Sequence, residues 1–207
     1  MKFKLLFVFI AITVCCFGQT SENRNNISDG AGKESYNGDL GNSWFNTGEE
    51  FYGFWGVSYS RYFNRSFDGT VSFSYGDIGR CAEDGFGAVR ADGSPILNMY
   101  ARMTTIILAL KYRFANGYIF KEDSKVSPYI FIGGGTEYMV DIWTHNRVDP
   151  GMYYSVNGGV GARYNITSRW NLSCNFGLGY LNKQMDWRVE KVNAAYLQST
   201  FAIGYNF

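Results

Sequence analysis

The amino-acid sequence predicts an all-β protein, an eight-stranded antiparallel up-and-down transmembrane β-barrel. Three observations carry that expectation. Successive segments alternate large apolar with small polar residues at period two, which gives each strand two chemically distinct faces. The small face is Gly, Ser, Asn, Thr and Ala. A soluble sandwich would show a charged, hydrated face there, whereas small uncharged groups suit the crowded interior of a narrow barrel. The large face tends to begin and end in aromatics, the arrangement of the girdles that flank a bilayer.

The chain opens with Lys2 and Lys4, an apolar run from Leu5 to Phe17, and small Gly18. Charge, apolar core and small residue in that order predict a secretory signal peptide over residues 1–18, cut before Gln19. The run falls short of the roughly 20 residues a spanning helix needs. Lipoprotein processing at Cys15 or Cys16 is the alternative, but Val14 or Cys15 would then stand where a small residue is expected. Residues 19–32, rich in Asn, Ser and Gly, read as a disordered leader, with the barrel occupying 33–207.

An even strand count needs a first strand, and Lys33 to Leu40 is the candidate with the weakest pattern. Residues 51–63 set Trp55, Val57 and Tyr59 outward, and residues 68–77 set Val71, Phe73 and Tyr75 outward. Residues 100–114 put Ile106, Leu108, Leu110, Tyr112 and Phe114 outward, and residues 127–140 do the same with Ile130, Ile132, Tyr138 and Val140. Residues 153–166 set Tyr154, Val156, Val160, Ala162, Tyr164 and Ile166 against a Ser, Asn and Gly face that also holds Arg163. Trp170 to Tyr180 repeats the pattern, and in the last strand Phe201, Ile203, Tyr205 and Phe207 share one parity.

Short links near Asn64 to Ser66 and Thr167 to Arg169 alternate with long polar ones at Asp77 to Asn98, Asp141 to Met152 and Asn182 to Asn193. Small membrane barrels alternate short periplasmic turns with longer external loops in this way. The link from Ala115 to Val126 is longer than such a turn requires. Nineteen basic against 18 acidic residues exclude a nucleic-acid-binding surface built on net charge. Aromatics at 18%, with 25 Gly and 3 Pro, favour strands and tight turns. Mean hydropathy slightly below zero is what an alternating barrel averages to. After a cut before Gln19, Cys81 and Cys174 remain. One disulfide is open to them in an oxidising compartment, but a free or lipid-facing Cys174 is the favoured reading.

Several stretches resemble the barrel domain of OmpA-like outer-membrane proteins: Tyr36-Asn37-Gly38-Asp39-Leu40-Gly41-Asn42, Ser60-Arg61-Tyr62-Phe63-Asn64 with Ser66-Phe67-Asp68, and Lys111-Tyr112-Arg113-Phe114-Ala115-Asn116-Gly117-Tyr118. Pro128-Tyr129 and Tyr205-Asn206-Phe207 continue the likeness. The resemblance implies export through the inner membrane and residence in the outer membrane. Its implied partners are outer-membrane lipid and lipopolysaccharide, with barrel-assembly machinery during biogenesis. It also implies that Phe201, Ile203, Tyr205 and Phe207 form the assembly signal, while periodicity alone makes them lipid-facing. Relatives often add a peptidoglycan-binding domain, and none is expected in a chain that stops at Phe207.

Lys111, Arg113, Glu137 and Arg163 fall on the inward parity and are expected to be salt-bridged plugs of a filled barrel. A narrow low-conductance channel is the alternative. A lipid-modifying enzyme would have to use His145, the one histidine, and no partner nucleophile stands out, so no catalytic set is expected. One His and two distant Cys predict no metal site, and no cofactor is expected. Gly133-Gly134-Gly135 and Gly158-Gly159 lie within strands without a following Lys-Ser/Thr, so close packing is expected rather than phosphate binding. Arg80, Glu83, Asp84 and Arg90 are loop charges open to a partner. The expected role is non-enzymatic, in envelope structure or surface interaction.

Overall fold

The computed structural model describes residues 24–37, 52–80, 99–122, 124–141, 150–182 and 195–207. Eight strands form: β1 (Asn25–Asn37), β2 (Tyr52–Tyr62), β3 (Phe67–Arg80), β4 (Met99–Arg113), β5 (Val126–Asp141), β6 (Gly151–Asn165), β7 (Trp170–Leu181) and β8 (Ala195–Asn206). Each pairs antiparallel with its neighbours in chain order, and β8 pairs with β1 to close the barrel. The seam is continuous from Asn26 opposite Asn206 to Asn37 opposite Ala195, and paired backbone bonds join Asn25 to Phe207 at its foot. Closure leaves no strand edge unpaired.

Leu108, Ile132, Val156 and Phe201 are 61%, 64%, 62% and 69% exposed on the outer face. Side chains so apolar and so bare, repeated from strand to strand at one height, call for hydrocarbon rather than water around them. Within the barrel, Tyr153, Met139, Ile78 and Tyr196 are buried. Large inward rings fit because neighbouring strands offer glycine: a Cβ at Gly179 would collide with the Tyr196 ring, and one at Gly161 with Tyr129. Gly133 and Gly135 face inward against Ala109 and Ile107, so the glycine runs serve close packing.

The first strand corrects the expected boundaries. Residues 25–32, expected to be a disordered leader, are the first part of β1, which runs Asn25–Asn37 among the described residues, while residues 38–40 of the expected strand lie outside them. Its inward residues Asn26, Ser28 and Gly30 oppose Ser60, Ser58 and Gly56, a small interior face like the others. Its outward row is Ile27, Asp29, Ala31 and Lys33, so the apolar alternation that marks the other strands is missing. Residues 1–23, which include the expected signal peptide, lie outside the described residues.

Two turns at one end share a device. Asn64 Oδ1 accepts from the amides of Ser66 and Phe67 at 2.9 and 3.0 Å, and Thr167 Oγ1 accepts from those of Arg169 and Trp170 at 3.2 and 2.9 Å. A short polar side chain thereby mimics a backbone acceptor. The longer link between β4 and β5 is folded around buried Asn116. That side chain accepts from the amides of Tyr118 and Ile119, and donates to Tyr112 Oη at 3.1 Å and Ser66 Oγ at 3.3 Å. Gly117, at φ 83°, makes the reversal that other residues avoid. Its length therefore serves a plug laid against the β2–β3 turn.

Gly179→Ala is expected to lower the urea midpoint of the folded barrel in micelles by the equivalent of about 1–3 kcal/mol, because its methyl enters the Tyr196 ring. Gly134→Ala, with its nearest neighbour a carbonyl at 3.4 Å, is expected to be neutral or stabilising. Tryptophan fluorescence during the titration separates the two; equal losses would contradict the packing described.

Candidate functional site: the barrel interior

The described interior is divided by charge along its axis. Near the turns, Lys111 and Arg113 on β4, Arg163 on β6 and Asp68 on β3 project inward, with Tyr129 and Asn175 between them. Arg113 Nε lies 3.3 Å from Asp68 Oδ1. The same guanidinium donates to the carbonyls of Asn64 and Arg65 at 3.1 Å and stacks 4.5 Å from the Tyr62 ring centre, so one side chain ties β4 to the β2–β3 turn. The ammonium of Lys111 stands 5.2 Å from the Tyr129 ring centre. Tyr129 in turn reaches over Gly161 of β6 to hydrogen-bond Asn175 on β7.

Nearer the opposite, loop end sit the acids. Glu137 is buried, and Tyr196 Oη lies 2.7 Å from its Oε1 and within bonding distance of the Asn157 side chain. A single hydroxyl proton serves one of those acceptors, and rotating the Asn157 amide lets it donate to the hydroxyl instead. Gln198 Nε2 donates to buried Glu34 at 2.6 Å. Between the halves lies a cavity of about 120 Å³, bordered by Ser28, Ser72, Thr70, Lys111, Arg163 and Asn175 among others.

Of the four charges expected to be salt-bridged plugs, Arg113 is one, with Asp68, and Lys111, Glu137 and Arg163 depart from that expectation. All four lie on the inward parity, but among them Arg113 alone reaches ion-pair distance of an acid among the described residues. The reason is axial separation: Glu137 sits opposite Thr105, three inward steps along β4 from Lys111. Sequence reasoning missed Asp68, Glu34, Tyr129 and Tyr196. Asp68 was legible, since it shares parity with Thr70 and Ser72, whereas Glu34 lay on a strand without apolar alternation.

Phe201, Ile203 and Phe207 are exposed on the outer face, and Tyr205 packs edge-on to Trp170 at 5.1 Å between ring centres. Cys174 is free and outward. Cys81, Glu83, Asp84, Arg90 and His145 lie outside the described residues, as does the side chain of Arg80. Among the described residues no group of three or more His, Cys, Asp and Glu is placed to hold a metal ion.

A closed eight-stranded barrel, apolar outside and filled by its own side chains, defines the class of small outer-membrane β-barrels, and solved structures share this fold. Neisserial surface protein A matches with TM-score 0.60 at 11% identity, covering 91% of this chain and 100% of that one. Ail, the attachment invasion locus protein of Yersinia pestis, in complex with the heparin analogue sucrose octasulfate, gives 0.54 at 14%, covering 90% and 100%. OprG from Pseudomonas aeruginosa gives 0.54 at 11%, covering 90% and 97%. No family model matches the sequence, and no curated protein matches it.

Asp68→Ala leaves the Arg113 guanidinium without its acid, and is expected to cost about 3–5 kcal/mol in urea unfolding. Replacing both, Asp68→Leu with Arg113→Met, is expected to restore more than half of that loss, since neither member of the pair is then left facing a missing partner. A double variant as unstable as the single would show that the pair is not what the site depends on.

Proposed function

We propose that this chain is a non-enzymatic integral protein of the bacterial outer membrane, acting in envelope structure or in surface interaction through the loops at its loop end. The observation that carries the reading is the outward apolar belt, borne by β2 to β8 and broken only on β1 among the described residues, around an interior occupied largely by the chain's own side chains. Export through the inner membrane precedes insertion, lipid and lipopolysaccharide surround the belt, and the turn end faces the periplasm. Alternation of short turns with longer links supports that orientation. The fold is also that of a surface protein and of an attachment protein, which supports a surface role. Phe201, Ile203, Tyr205 and Phe207, outward along the lower half of the seam to its foot, are the residues proposed for the assembly signal.

Cells expressing the full chain are expected to carry it in the outer-membrane fraction, folded material migrating faster on a gel than boiled material. Phe207→Ser is expected to reduce the folded band several-fold while purified protein still folds in micelles. Recovery of the wild-type chain as a detergent-free monomer would overturn the reading. An enzymatic role in lipid modification would have to use His145, the one histidine. Deleting the gene is expected to leave the lipid profile of the envelope unchanged, and a change reproduced by His145→Ala would refute the non-enzymatic assignment.

A further inference from the structure

The two remaining cations of the turn half pose an electrostatic problem. Asp68 is engaged by Arg113. Among the described residues Lys111 has the Tyr129 ring as its contact and Arg163 reaches no acid at ion-pair distance, its Nε being buried without a hydrogen-bond partner, so both share the field of the one Asp68 carboxylate that Arg113 already holds. Both border the 120 Å³ cavity, together with the hydroxyls of Ser28, Ser58, Ser72 and Thr70. A charge removed from bulk water is normally paired or hydrogen-bonded, because leaving it bare costs several kcal/mol. Lysine has a second escape in losing its proton, but arginine stays charged.

We infer that the cavity is a binding site for a small inorganic anion held between Lys111 and Arg163. Guanidinium and ammonium groups form strong charge-assisted bonds to an oxyanion, the planar fork of arginine matching two oxygens at once. Ser28 with Ser58, and Thr70 with Ser60, are hydrogen-bonded pairs that each keep one hydroxyl proton, and these with the hydroxyl of Ser72 serve the remaining oxygens. The space exceeds that of one water several times over, and sealed barrel walls exclude a lipid headgroup, so the occupant is a free ion. The acids Glu34 and Glu137 at the other end repel an anion from that half, which fixes it near the cations.

The test uses the full chain refolded in uncharged micelles with sodium phosphate, against a control of equal ionic strength whose anion is too bulky for the cavity. Phosphate is expected to raise the unfolding midpoint saturably, as a ligand specific to the folded state does. Lys111→Met with Arg163→Met is expected to abolish the rise, and Arg102→Gln, on the outer face beside Asp77, to leave it intact. The same rise in the bulky anion, or in the double variant, would overturn the site in favour of water alone. Should the double variant not fold, crystals of the unaltered chain soaked in bromide decide the matter. An anomalous peak between Lys111 and Arg163 supports the site, and its absence there refutes it.

Discussion

Pairing of β8 with β1 is the constraint from which the rest of the molecule follows. In hydrocarbon an unpaired amide or carbonyl costs several kcal/mol, so a sheet survives there only without edges. Closing eight strands fixes a narrow bore, and a narrow bore fixes what points inward. Asn26, Asn171 and Asn206 show how the foot of the seam is finished. Both Asn26 and Asn171 donate to Asn206 Oδ1, at 2.8 and 3.1 Å, and Asn206 donates to the Ser168 carbonyl at 3.2 Å. Three amides thereby lock β7, β8 and β1 together where the two chain segments meet.

Within that bore, volume and charge are allotted separately. Volume is shared strand against strand, with Tyr129 placed over Gly161, Phe131 over Gly159 and Gly177, and Tyr196 over Gly179. Charge is sorted along the axis, with the basic groups of β4 and β6 toward the turns and Glu34 and Glu137 toward the loops. Cross-strand neighbours therefore differ in size, while groups of opposite sign are held apart. Arg113 with Asp68 is the exception, and that pair also secures a turn.

Most of the fold was legible because a period of two survives in the sequence. In β8, Phe201, Ile203 and Tyr205 announce their face, and β4 does so with Ile106, Leu108 and Leu110. β1 was misjudged because Asp29, Ala31 and Lys33 break the apolar row, and only its pairing with both β2 and β8 makes it a strand. Inward parity of Lys111, Arg113, Glu137 and Arg163 could be read by counting. Their partners could not, since a closed barrel joins strands remote in the chain: Tyr196 meets Glu137 across the bore, 59 residues away, and Gln198 meets Glu34 beside it on the closing seam, 164 residues away. The β4–β5 link resisted reading for the same reason, its Asn116 answering to Ser66 on another turn.

The outer row of β1 gives the barrel a front and a back. Opposite Ile203 on one side and Val57 on the other, Asp29 interrupts the belt that β4 carries without a break through Ile106, Leu108 and Leu110. A carboxylate is costly at that height in hydrocarbon and favours headgroups and water near it, so a thinner annulus is expected along the closing seam than against β4. Elastic cost falls when the thin flank meets a thin patch of bilayer. The outer rim of the barrel is therefore uneven around its circumference, full at β4 and notched at the seam.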